Sequence, residues 1–193
     1  MSWIFDLIGQ HVTDADDSVV IRRKAIGVSA GGAAGAEAYL TACLDLGQAA
    51  DDPAALIEAL RRREETGVVH RLGFLVTWCA AVVRADFESR RDAVAARTLL
   101  AARADADYGP IATAFGADVL EWILSLVGTA IKQISALAAD KSPVVRVETN
   151  LSLPASVIAW ELYGDPTRGA ELVRRNRVST AMLMPVSIEA LSS

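Results

Sequence analysis

Apolar residues recur along most of this chain at steps of three and four, the spacing that lines one face of a helix. Residues 1–17 begin apolar and end in the acidic, turn-prone stretch Thr13-Asp14-Ala15-Asp16-Asp17. Ser18 is placed to cap a helix carrying Val19, Val20 and Ile26. Beyond the small-residue run 27–35, Tyr39, Leu40, Cys43 and Leu44 predict a helix reaching about Leu46. Asp52-Pro53 is a helix start, a capping carboxylate followed by proline at the first helical position. Its apolar face is Leu56, Ile57 and Leu60; Arg61 to Glu65 end it in charge, and Gly67 stops it. From Val68 to about Ala104 the pattern stays helical through Leu72, Leu75, Val76, Cys79, Val82 and Val83, with a break expected near Asp86. Tyr108-Gly109-Pro110 is expected to separate it from a helix with a broad apolar stripe that includes Phe115, Trp122, Ile123, Val127 and Ile134. Asp140-Lys141-Ser142-Pro143 ends that helix.

After Pro143 the period changes. Val145–Thr149 alternates with period two and is β-branched, which predicts a strand. Pro154 opens a short helix through Val157, Ile158, Trp160, Leu162 and Tyr163, closed by Gly164. Asp165-Pro166 starts another, with Ala170, Leu172 and Val173 inward and Asn176 as a left-handed stop. Ser187–Leu191 predicts a closing strand. The expected fold is mainly α, an all-helical body over 1–141 followed by a small α+β unit, strand-helix-helix-strand, over 144–193.

Composition refines this picture. Of 193 residues 52% are hydrophobic, but 35 are alanine, so about a third of the chain is large apolar. That suffices for a real core and excludes wholesale disorder. Mean hydropathy is +0.31 with only 22% charged residues, which points to surface buried against partners. The net charge of −5 argues against nucleic-acid binding, because no basic footprint stands ready for phosphates. The N-terminus has no basic segment before its short apolar run, so a signal peptide is not expected. Leu72–Val83 and Val119–Ile134 are too short or carry Glu121 and Lys132, so neither is expected to span a membrane, and the chain reads as soluble.

The residues offer little chemistry. Cys43 and Cys79 lie far apart in apolar stretches and read as buried thiols, without metal spacing or a disulfide framework. His11 and His70 have no acid or cysteine at ligand spacing. The run 27–35 follows no strand and lacks Gly-Lys-Ser/Thr, so it reads as a bend or a close helix approach rather than a phosphate loop. No nucleophile elbow or paired-carboxylate motif appears, so no catalysis, metal or cofactor is expected. Trp78, Trp122 and Trp160 read as core. Trp3, with Ile4, Phe5, Leu7 and Ile8, makes an apolar N-terminal segment open either to self-packing or to docking on another chain. It stands as a candidate interface together with Met182, Leu183 and Met184, whereas Arg174 and Arg175 are expected on a solvated face.

Leu153-Pro154-Ala155-Ser156-Val157-Ile158-Ala159-Trp160-Glu161-Leu162-Tyr163-Gly164-Asp165-Pro166-Thr167-Arg168, followed by Ala170–Arg177, resembles the C-terminal region of Mu-like phage DNA circulation (circularisation) proteins. The same segment looks like a LysM-type module. Its structural turn would be Tyr163, Gly164, Asp165 and Pro166, with Asn176 ending the second helix. Upstream, Ala85-Asp86-Phe87-Glu88-Ser89 and Asp92-Ala93-Val94 look like the family's central helical region. The family's Pro-Gly-phrased ending is replaced here by Met182-Leu183-Met184-Pro185. The resemblance implies a structural piece of a phage-like tail or baseplate, assembled in the host cytoplasm. It would join the tail tube or tape-measure end to the hub; the apolar content of the chain separately predicts several copies per particle. The alternatives are a peptidoglycan-binding protein and a DNA-end-binding protein.

Overall fold

The computed structural model describes residues 2–27, 32–63 and 67–192, without the side chains of Ser2 and Ala33. The central part of the small-residue run 27–35 and the acidic pair Glu64-Glu65 therefore lie outside the described residues. The protein is mainly helical with one small antiparallel sheet. It divides into two compact units, one of residues 1–87 and 93–137, the other of residues 88–92 and 138–193.

The first unit is built from α1 (Ser2–His11), α2 (Ala15–Ile26), α3 (Gly32–Ala49), α4 (Pro53–Arg61) and α5 (Val68–Val82). It also holds most of α6 (Arg90–Phe115) and α7 (Ala117–Asp140). Asp14, not Ser18, caps α2: its carboxylate accepts the amides of Asp16 and Asp17. An ionised cap beats a hydroxyl one turn later because it also meets the positive end of the helix dipole. Asp52 caps α4 as expected, accepting the Ala55 amide at 3.0 Å.

At the centre lies α5, buried without interruption from Leu72 to Val82. Its approach to α3 is so close that a Cβ on Gly47 would lie 2.5 Å from the Thr77 carbonyl oxygen. On Gly73 it would lie 2.5 Å from the Tyr39 hydroxyl. Thr77 donates its hydroxyl to the Cys43 carbonyl across the same seam at 3.0 Å. The break after α5 falls where Asp86 suggested.

The expected separation at Tyr108-Gly109-Pro110 does not occur, since Pro110 lies inside α6. Proline forfeits one helical hydrogen bond there, but its neighbours are anchored in the core. Asp107 is 2% exposed, held by Arg103 at 2.8 Å and Arg71 at 3.4 Å, and Ile111 is fully buried. The chain turns instead at Gly116, whose φ of +85° suits a residue without a Cβ. Beyond it α7 runs back along α6, with Arg97 donating to the Ser135 hydroxyl at 3.4 Å.

The second unit follows the order β1 (Val144–Glu148), α8 (Ala155–Tyr163), a 3-10 turn (Pro166–Arg168), α9 (Gly169–Arg175) and β2 (Ser187–Leu191). The strands pair antiparallel, with Arg146 opposite Glu189 and Val147 opposite Ile188. Ala155, Ile158, Ala159, Leu172, Met184, Ile188 and Ala190 form its core. Gly164 closes α8 at φ +68°, as the sequence predicts. Asn176 ends α9 but in the right-handed region; the left-handed residue is Arg177, at φ 52°. Two tertiary hydrogen bonds between the Asn176 side chain and the Glu189 backbone hold Asn176 there and pass the turn to the next residue.

Candidate functional site

The two halves of the sequence-predicted interface separate. Trp3, Ile4, Leu7 and Ile8 have no exposed surface, so they form core of the first unit and not an interface. Trp3 meets Phe74 edge-on with centroids 4.4 Å apart, and its indole N–H donates to His70 Nδ1 at 3.1 Å. The Tyr39 hydroxyl lies 3.4 Å from the same ring nitrogen. Phe5 is half-buried, with the Arg22 guanidinium 6.0 Å above its ring. The segment is apolar because it fills a groove of its own chain.

Met182 and Leu183 are 70% and 63% exposed, whereas Met184 is fully buried and anchors the loop that carries them. Around that anchor the backbone is pinned. The Met184 amide donates to the Leu153 carbonyl at 3.0 Å, and the Ser152 hydroxyl donates to the Met184 carbonyl. On the other flank the Ala155 amide reaches the Ala181 carbonyl at 2.7 Å. Two large apolar side chains thus stand in water on a loop tied at both ends. Beside them a cleft of about 500 Å³ is lined by Ser152, Arg177, Val178, Thr180, Leu183 and Pro185, among others.

The turn residues come together as one construction. The Asp165 carboxylate accepts the Thr167 hydroxyl at 2.6 Å and the Thr167 amide at 2.9 Å, which together hold its pKa below the ordinary carboxylate range, and Pro166 opens the 3-10 turn. The Arg168 guanidinium lies 3.6 Å over the Tyr163 ring. The Tyr163 hydroxyl accepts the Leu191 amide at 3.0 Å, tying the helix to β2; burial raises its pKa.

Sequence reasoning placed two tryptophans on the wrong side. Trp122 and Trp160 are 44% and 60% exposed, and Leu124 and Leu151 join them in water. The signal was present in α8, where Val157 to Leu162 is apolar almost all round although a nine-residue helix can bury one face only. Arg175 errs the other way: its side chain is 3% exposed and reaches Glu88 at 3.3 Å, while Arg174 stays open beside the same carboxylate. The expectation for Val119–Ile134 also changes. Because α7 extends over 24 residues, it is long and apolar enough to cross a membrane by length and composition.

Burial pushes the thiols of Cys43 and Cys79 up to about 12, so both stay protonated and unreactive. His11 is lowered by burial against the opposing pull of Asp52 and Asp51. Among the described residues no group of three or more His, Cys, Asp or Glu could hold a metal. Compared with protein-family models and with curated proteins, the chain matches none.

Proposed function

We propose that this chain is a structural component of a phage-like tail or baseplate, joining the tube or tape-measure end to a central hub. The observation that carries the reading is the pinned loop presenting Met182 and Leu183 to water. Apolar side chains held rigid before binding lose little entropy on docking, and such anchors dominate interface affinity. The strand-helix-helix-strand order of residues 144–191 supports the finer reading of this unit as LysM-like. Its loop then serves as a protein contact.

The test is incorporation. Particles purified from producing cells should contain the chain by mass spectrometry, and the Met182→Asp, Leu183→Asp double variant should be lost from them while melting like wild type. Particles that lack the wild-type chain, or retain the variant fully, defeat the proposal.

A second reading is favoured by the cleft beside that loop, whose Ser152, Thr180 and Arg177 lie among apolar walls as a glycan site would require. Under it the protein grips cell-wall glycan. Sedimentation of the purified protein with insoluble peptidoglycan, lost in a Thr180→Trp variant that fills the cleft, would establish it.

A further inference from the structure

We infer that α7 is a self-association face, through which two copies of this chain pair antiparallel about a two-fold axis level with Leu126 and Val127. One side of α7 is already covered: Ile123, Val127, Ala130 and Ile134, at steps of four and three, are all buried. The rest of the helix is not. Trp122 and Leu124 are nearly half exposed, Leu120, Leu126 and Ile131 only half-buried, and Ser125 and Thr129 open to water between them.

The charges name the occupant. Between Asp118 and Asp140 the helix carries two charged side chains, Glu121 and Lys132, both exposed and of opposite sign. They lie at equal distances either side of the Leu126–Val127 level, about 16 Å apart along the axis. A second copy laid antiparallel sets Glu121 against the partner's Lys132, and Lys132 against the partner's Glu121. This is the reciprocal pattern a two-fold interface demands. The same register puts Ser125 opposite the partner's Gly128. Nothing lies within 4 Å of where a Cβ on Gly128 would be, so the centre of the contact is open to close approach. A parallel copy would set Glu121 against Glu121. A bilayer would take Glu121 and Lys132 out of water without a partner for either, so a protein surface of matching charge fits better.

The inference does not rest on the tail reading, because it concerns the purified chain alone. Sedimentation velocity across a concentration series should show a dimer. Glu121→Lys and Lys132→Glu should each weaken it at least tenfold, and the double swap should restore it. Circular dichroism should be unchanged, because both side chains are exposed. Independently, Ser125→Cys and Gly128→Cys single variants mixed one to one should form a covalent heterodimer on mild oxidation, since the native thiols are buried. A wild-type monomer at all concentrations overturns the inference. So does a dimer indifferent to all three charge variants, or flotation with neutral lipid vesicles that the swap leaves unchanged.

Discussion

The amide of Asn176 grips the backbone of Glu189 from both sides: its Nδ2 donates to the Glu189 carbonyl at 2.9 Å, and its Oδ1 accepts the Glu189 amide at 2.7 Å. A second Nδ2 proton reaches the Leu172 carbonyl at 2.9 Å. The side chain thus acts as a short extra strand, joining the end of α9 to the free edge of β2. Asn176→Ala removes three hydrogen bonds and leaves partly buried backbone groups without partners, at ~2–3 kcal/mol. Asn176→Asp keeps the shape but sets a carboxylate against two carbonyls, so it should cost at least as much. Urea unfolding read by amide exchange at Glu189 and Leu191 checks both. Equal protection in wild type and Asn176→Ala would show the clasp to be idle.

Gly164 takes a positive φ with nothing within 4 Å of where a Cβ would lie, so its penalty is one of backbone alone. Gly164→Val should cost ~1–2 kcal/mol, and Gly164→Asn clearly less, because asparagine tolerates the left-handed region. Denaturant midpoints of the two variants at unchanged slope give the comparison. Equal losses would mean that the turn relaxes out of this conformation.

Trp3 tests the reassignment of the N-terminal segment. As core, Trp3→Ala should destabilise the first unit by ~3–5 kcal/mol. Trp3→Phe, keeping the ring against Phe74 and losing the bond to His70, should cost less. Deletion of residues 1–8 should unfold that unit, because α1 fills its core. A truncated protein that melts like wild type would return the segment to the surface.

These residues mark the limit of what the chain shows before it folds. Asp52-Pro53, Asp165-Pro166, Gly164 and the alternation at Val145–Thr149 were legible because their chemistry is settled within four residues. Pro110 reads as a stop by that same local rule and is overruled by its anchored neighbours, Asp107 tied to Arg71 of α5 and Ile111 fully buried. Sidedness failed for the same reason. Trp3 and Trp160 both sit in short apolar helices, and only the groove ending at Phe74 and His70 draws Trp3 inside. Arg175 is buried because a carboxylate far upstream, Glu88, comes to meet it. Of the candidate interface, Met182 and Leu183 were recoverable from the absence of any periodic company; the two-fold symmetry of the charges on α7 becomes meaningful only once its buried side is known.

Glu189 also carries a testable dependence on pH. Both guanidinium ends of Arg91 reach its carboxylate at 2.7 Å, and this bonding is the main reason its pKa falls below the ordinary glutamate value of 4.5. A carboxylate whose folded pKa is depressed contributes stability that is fully present above the unfolded value. That contribution is lost as pH falls through the folded value. The window therefore opens below about 4.5, the unfolded reference. Both side chains are more than 40% exposed, so screening keeps the pair below ~1 kcal/mol. Glu189→Gln should melt slightly below wild type at pH 7. The gap should close as pH falls from 5 towards 3, and it should shrink at pH 7 in 0.5 M salt, about three times physiological strength. Paired melting curves of the two proteins cancel the other carboxylates common to both. A gap that stays constant with pH and salt would mean that the pair contributes through side-chain packing and not through charge.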